Sequence, residues 1–217
     1  MQGKVDYLFA PNENEMYPKY PLKLCHVEPL SFNQIYEGQA RPEFFRGVAT
    51  VVTKLLNIAQ PTIAYFGQKD ISQCILVRRL VNDLNIPSKI NVQETIRESD
   101  GLAMSSRNVY LSPEERTVAN ILYTALKAGL ALAQPGGQPI AREAIIHAIE
   151  SVLKQQPLVS QIEYISVASH IDMTELSTVS YDTGAVLSSA IRVGSVRLID
   201  NLLVGRANTD ILGLGSD

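Results

Sequence analysis

Three short polar segments hold the residue types that could do chemistry. The first is Gly67-Gln68-Lys69-Asp70-Ile71-Ser72-Gln73, placed where a short apolar strand pattern gives way to a helical one. Backbone N–H groups at a helix start, the positive end of its dipole and a glycine permitting close approach together suit an anion. Lys69 adds a mobile cation for a phosphate. The competing reading is local: Asp70 and Gln73 have the D-x-x-Q spacing of a capping box, which leaves Lys69 merely solvated. The second segment is Asp100-Gly-Leu-Ala-Met104-Ser105-Ser106-Arg107-Asn108. Two hydroxyls followed by a planar guanidinium can bind phosphate oxygens, and a loop between two units can close over a nucleotide. By itself the triplet Ser-Ser-Arg is more at home in an exposed turn. The third segment, Tyr36-Glu37-Gly38-Gln-Ala-Arg41-Pro42-Glu-Phe-Phe-Arg46-Gly47, carries two arginines and a glutamate between glycines. It reads as part of an anion site or as a charged connection, and nothing within it decides.

These segments need elements to position them, and strand and helix patterns alternate through the first hundred residues. Val5–Phe9 predicts a strand stopped by Ala10-Pro11. Gly47–Gln60, with Val48, Val51, Val52, Leu55 and Leu56 at helical spacing, predicts a helix ended by Pro61. Ile63–Phe66 follows as a strand closed by Gly67, then Asp70–Asn85 as a helix with Cys74, Val77, Val81 and Leu84 on one face, then Lys89–Glu94 as a strand. This alternation implies βαβ units and a parallel sheet. After Ile96 the character changes. Ser112-Pro113-Glu-Glu115 starts a helix by N-cap, first-position proline and capping box together, and its pattern continues to Ala133. Pro135–Pro139 is a loop and Ala141–Leu153 a further helix, before three strands, Ile162–Val167, Gly184–Arg192 and Val196–Asn201, that read as an antiparallel meander. Beyond Gly205 the chain is small and polar and predicts a loosely held tail. A boundary near residue 96 separates an α/β unit, 1–96, from a small α+β unit, 97–217.

The 217 residues are 46% hydrophobic, enough to bury a core in one or two domains. Nineteen Lys and Arg against 22 Asp and Glu leave a net charge of −3. That balance argues against a nucleic-acid partner, whose binders carry a basic excess, and leaves room for a small phosphate site. Cys25 and Cys74 form no CxxC pair, and His26, His147 and His170 show no ligand spacing, so neither zinc nor a disulfide framework is indicated. The longest apolar stretch, Val48–Phe66, is interrupted by Lys54, Asn57 and Pro61, which argues against a membrane span. The opening Met1-Gln-Gly-Lys-Val-Asp6 lacks the apolar core of a secretory signal, so a cytoplasmic setting is expected. No GxxxxGK[ST] loop occurs, and Gly213-Leu-Gly215 opens no helical pattern.

Taken as wording rather than spacing, the motifs go further. YFGQKDxxQ (Tyr65–Gln73), RRLVNDLNIP (Arg78–Pro87), ETIRESDGLAMSSRNVYLSPEER (Glu94–Arg116) and VRLIDN (Val196–Asn201) resemble the pantothenate synthetase, or pantoate–β-alanine ligase, family. VDYLFAP (Val5–Pro11) and EGxxRPxxFRGV (Glu37–Val48) match it in the same order. The resemblance implies a Rossmann-like nucleotidyltransferase domain over 1–96, binding ATP and pantoate, followed by a C-terminal lid domain over 97–217. It implies a two-step reaction: pantoate attacks the α-phosphate of ATP, releasing pyrophosphate, and β-alanine then attacks the pantoyl adenylate to give pantothenate and AMP. Carried over by motif, Lys69 and Arg107 are catalytic. Gly67, Gln68, Lys69, Asp70, Ile96, Met104, Ser105, Ser106 and Arg107 bind ATP, Gln73 binds pantoate, and Glu37 and Arg41 belong to the site in a less defined role. Mg²⁺ accompanies ATP, and a homodimer is implied. The family pattern also places a first strand and an HxGH motif ahead of VDYLFAP. Their absence here is expected of a truncated form, a mis-assigned start or a short paralogue, and the alternative function is a non-catalytic binding or dimerisation module.

Overall fold

The computed structural model describes residues 5–18 and 25–212. Its first half is built around one βαβ unit. Helix α1, Glu13–Met16, and helix α2, Tyr36–Ala40, lead into helix α3, Phe44–Ala59. Phe45, Ala49, Val52 and Leu56 of α3 are buried, the one-sided pattern of an amphipathic helix. Strand β1, Ile63–Gly67, helix α4, Ile71–Asp83, and strand β2, Lys89–Gln93, follow, with β1 and β2 parallel in the register Ile63↔Lys89 to Gly67↔Gln93. Helix α4 buries Ile71, Cys74, Ile75, Leu76, Val77 and Leu80, more than one stripe, because it is packed against α3 and both strands. The other edge of β1 has no strand partner among the described residues, and Ile63 and Tyr65 are exposed on one face of the strand.

The second half is a three-stranded antiparallel sheet backed by helices. Helices α5, Pro113–Val118, and α6, Ile121–Leu130, precede the two-residue strand β3, Ile140–Ala141, and helix α7, Arg142–Leu153. Strands β4, Val159–Ala168, β6, Ala185–Val193, and β7, Val196–Val204, form the sheet in the order β4-β6-β7, while the short β5, Thr178–Val179, pairs with β3. Strand β6 is the central strand and is buried along almost its whole length. Helix α8, Arg206–Leu212, ends the described chain.

Several expectations need correction. Val5–Phe9 is not a strand: its residues are exposed and pair with no strand among the described residues. The helix expected from Ser112 to Ala133 is two helices, because the backbone tightens at Ala119, whose N–H bonds the Arg116 carbonyl, and Asn120 turns its amide to the Asp100 carbonyl. The Ser112–Glu115 capping box forms as expected. That of Asp70 and Gln73 does not, since Asp70 makes no capping bond. The tail is not loose as far as residue 212: α8 buries Ala207 and Ile211. The guanidinium of Arg78 donates to the carbonyls of Asp210 and Ile211, and His170 meets Asp210 at 2.9 Å. Gly213–Gly215 lie outside the described residues.

Two hydrophobic clusters result. One joins α3, α4, β1 and β2 to Ala168, Met173, Val186, Leu203, Ala207 and Ile211. The other lies between α6, α7 and the antiparallel sheet. Strands β6 and β7 contribute to both, so the sheet of the second half also walls the first.

Candidate active site

A cleft of about 380 Å³ opens where the turn after β1, helix α2 and strand β7 converge. Each wall has a local cause. Ahead of α4 the chain makes a 3₁₀ turn, Gln68–Asp70, which presents Lys69, three-quarters buried, and Asp70, half-exposed, 3.7 Å apart. A Cβ on Gly67 would meet nothing within 4 Å, so the backbone there is open to close approach. Beneath the turn the Cys74 thiol donates to the Gly67 carbonyl at 3.2 Å. Burial, and next the charge of Asp70, push that thiol up to about 12, which keeps it protonated and chemically silent.

The second wall is a small hairpin. Glu98 N–H donates to the Leu102 carbonyl at 2.8 Å and Met104 N–H to the Ile96 carbonyl at 2.9 Å. Gly101 sits at φ +96° against the Tyr123 ring, a backbone state that disfavours any side chain. Asp100 accepts from Leu102 N–H and from Arg116 at 2.6 Å, and the Arg116 hydrogen bond holds its carboxyl below the usual range. The hairpin delivers Ser105, Ser106 and Arg107 to the cleft. Ser105 Oγ accepts from Arg107 N–H at 3.2 Å, while the Arg107 guanidinium has no ion-pair partner among the described residues.

The third wall comes from α2. Gly38 lies so close to the Phe32 carbonyl that a Cβ would approach it at 2.0 Å, which seats the helix and buries Glu37. Arg197 of β7 donates to Glu37 at 2.7 and 3.3 Å and to Glu163 of β4 at 2.6 Å. Tyr164 O–H donates to Glu37 at 3.3 Å, Arg41 lies 3.6 Å from it, and Arg192 meets Glu163 at 3.0 Å. Burial opposes charge on Arg197, but its hydrogen bonds to Glu37 and Glu163 win and raise it above the ordinary arginine value. Burial, then the Glu37 charge, raise the Tyr164 hydroxyl likewise.

Of the residues singled out by sequence, the cleft therefore gathers Glu37, Arg41, Lys69, Asp70, Gln73, Ser105, Ser106 and Arg107. Gly67, Gln68, Ile96 and Met104 do not line it. Gln68 is 6% exposed and its amide donates to Asn201 at 3.1 Å, whereas Ile96 and Met104 are exposed beside the hairpin. Sequence reasoning gave no role to Tyr164, Arg197, Asp200 or Asn201. The available signal was in VRLIDN: an Asp-Asn pair inside an otherwise apolar strand must find partners if buried. Among the described residues no three His, Cys, Asp or Glu side chains converge as a metal cage.

Comparison with known proteins locates this architecture. A family model described as pantoate-beta-alanine ligase matches residues 1–203. A pantothenate synthetase of Chloroflexus aggregans is 47% identical over 200 residues, 92% of this chain and 70% of the relative. One of Brucella abortus is 44% identical over 210 residues, 96% and 69% respectively. Among solved structures, a pantothenate synthetase of Thermus thermophilus superposes with a TM-score of 0.81 at 42% identity, covering 91% of this chain and 69% of that one. The pantoate-beta-alanine ligase of Francisella tularensis, complexed with beta-gamma ATP and beta-alanine, does so at 0.61 and 32%, covering 88% and 62%.

Proposed function

The chain belongs to the pantoate–β-alanine ligase family, and on that premise we propose that it condenses pantoate with β-alanine at the expense of ATP, through a pantoyl adenylate. The observation that carries this reading is the convergence of Lys69 and Gln73, from the start of α4, with Ser105, Ser106 and Arg107, from the hairpin, in one cleft. Adenylate formation needs charge stabilised on a transferring phosphate more than it needs a covalent nucleophile, and the cleft offers that. Lys69 and Arg107 are the cations for the triphosphate, with the Ser105 and Ser106 hydroxyls donating beside them. The backbone of the turn at Lys69 and Asp70 takes the nucleotide's other phosphate oxygens, with Gly67 and Gln68 behind it shaping the turn, and Ile96 and Met104 flank the nucleotide at the hairpin. Gln73, half-buried beside Lys69, hydrogen-bonds pantoate and holds its carboxylate toward the α-phosphate. Glu37 and Arg41 close the far end, where Arg41 lies over the Phe44 ring at 3.5 Å.

Mg²⁺ fits as a companion of ATP rather than a resident ion. Such ions are held by one or two carboxylates plus substrate phosphates. Glu37 and Asp200 are already committed to Arg197 and Arg97, so Asp70 is the cleft carboxylate that remains. The ion supplies neutralisation of phosphate charge. The division near residue 96 assigns the turn after β1 to one unit and the hairpin to the other, so the cleft forms at their junction. A cytoplasmic homodimer acting on small molecules, with neither nucleic acid nor membrane as partner, completes the reading. The net charge of −3 favours small-molecule over nucleic-acid partners, and among the described residues no helix is long and apolar enough to cross a membrane.

The test is pantoate-dependent exchange of labelled pyrophosphate into ATP, followed by β-alanine-dependent release of AMP. Exchange well above a Lys69→Ala control, and dependent on pantoate, is expected. A folded chain without exchange would make the non-catalytic binding module the better description.

A further inference from the structure

Two adjacent side chains of β7 reach both phosphate-facing segments. Asn201 is 1% exposed, and its amide is fully used. Nδ2 donates to the carbonyls of Gln68 at 2.9 Å and Lys69 at 3.1 Å, while Oδ1 accepts from Gln68 Nε2 at 3.1 Å. The backbone bearing Lys69 is thus clamped to the strand by hydrogen bonds from a single side chain. Asp200 is 4% exposed. Its carboxylate accepts from Arg97 at 2.6 and 3.0 Å and from Asn201 N–H at 2.8 Å. Arg97 in turn donates to the Gly101 carbonyl at 3.1 Å and lies over the Tyr123 ring at 4.0 Å. It is therefore the brace of the hairpin that ends in Ser105–Arg107. Successive side chains of a strand leave on opposite faces, which is how neighbours in sequence hold two separate loops.

Resting on the function proposed above, we infer that Asp200 and Asn201 are positioning residues. They fix the Lys69 turn and the Ser105–Arg107 hairpin to one strand, setting the spacing between the two cations that take the triphosphate. Three physical points favour this over generic packing. The Asn201 amide donates to backbone carbonyls of the Lys69 turn, and Asp200 holds Arg97, which donates to the Gly101 carbonyl of the hairpin; these bonds do not go to neighbouring strands. An amide is specifically required at residue 201, since a carboxylate there would face two carbonyl oxygens. The bidentate Arg97–Asp200 pair is directional, which a hydrophobic contact is not.

The experiment has a ligand-free arm and a catalytic arm. In amide hydrogen exchange without substrate, Asn201→Ala should accelerate exchange in residues 68–73 while leaving 97–107 near wild type. Asp200→Asn, which keeps shape and removes charge, should do the reverse. Asn201→Ser serves where the alanine variant folds poorly. In pyrophosphate exchange, Asn201→Ala should lower kcat by about tenfold to a hundredfold, the scale of a small misplacement, with a much smaller change in KM for pantoate. Repeated in a Lys69→Ala background, the same substitution should cost less than about twofold, because no cation remains to be placed. Unchanged or evenly spread exchange protection would overturn the inference, as would additive losses in the double variant. A local protection change in a chain whose wild type shows no pyrophosphate exchange would instead refute the proposed function and leave the tether standing.

Discussion

Positive charge stands at the cleft and in the pocket adjoining it, and is treated in opposite ways. On the floor of the adjoining pocket, Arg192 and Arg197 face each other across β6 and β7, a like-charge pairing that would repel. Glu163 lies between them and Glu37 takes the rest of Arg197, so the charges there are matched. On the rim of the cleft, Lys69 has only the half-exposed Asp70 at 3.7 Å, and Arg107 has no ion-pair partner among the described residues. The lesson is that arginine density does not mark a phosphate site. Arg192, Arg197, Glu37 and Glu163 bind α2 to the sheet and cancel, with only Arg41 in surplus beside Glu37. The loosely paired Lys69 and the unpaired Arg107 instead keep their field for a ligand.

Breaking the floor should cost most, and in stability. Arg197→Met leaves the buried Glu37 and the partly buried Glu163 without their shared guanidinium, which should destabilise the fold by about 3–5 kcal/mol. Urea unfolding of the ligand-free chain measures it, and a loss under about 1 kcal/mol would show that the matched set is not structural. Breaking the rim should cost activity alone. Lys69→Ala or Arg107→Ala should remove about 2–4 kcal/mol of transition-state stabilisation from adenylate formation, with the urea midpoint unmoved. Wild-type rates in both variants would erase the contrast between rim and floor.

The floor was almost illegible from sequence, and the rim largely legible, for the same reason. Lys69 and Ser105–Arg107 act close to their chain neighbours, so a strand-to-helix turn and a polar loop announce them. Arg197 and Asn201 act on residues 160 and 133 positions away, and only folding brings those together. The βαβ unit and the meander followed from periodicity, which is a local property. Val5–Phe9 failed as a strand because its apolar run fixes no partner for its backbone groups. Helix α8 was read as a loose tail because its hold is supplied from afar, by Arg78 and His170.

The turn carrying Lys69 stands on a buried floor of its own, and a thiol reports on it. Cys74 is 1% exposed with its thiol pushed up to about 12, by burial first, whereas Cys25 is exposed. At about pH 8 a small disulfide reagent should label Cys25 promptly and Cys74 only after unfolding, since the thiolate is the reactive form. Prompt labelling of both would mean that the turn opens freely.

The smallest effect belongs to the exposed counterpart of the buried network, the Asp100–Arg116 pair at 2.6 Å. Both side chains are about one-third exposed, and solvent-exposed pairs contribute little. Arg116→Ala should therefore shift stability by less than about 1 kcal/mol, far below Arg197→Met. The sign of its pH dependence follows from the hydrogen bond that lowers the folded Asp100 value beneath the ordinary 3.8. A carboxyl depressed on folding lends its stability in full above its unfolded value and loses it as pH falls through the folded one. Wild type and Arg116→Ala should thus differ at neutral pH and converge below that ordinary value, measured as urea midpoints across an acid series. A gap that widened in acid would mean that Arg116 acts on the hairpin by packing rather than by charge.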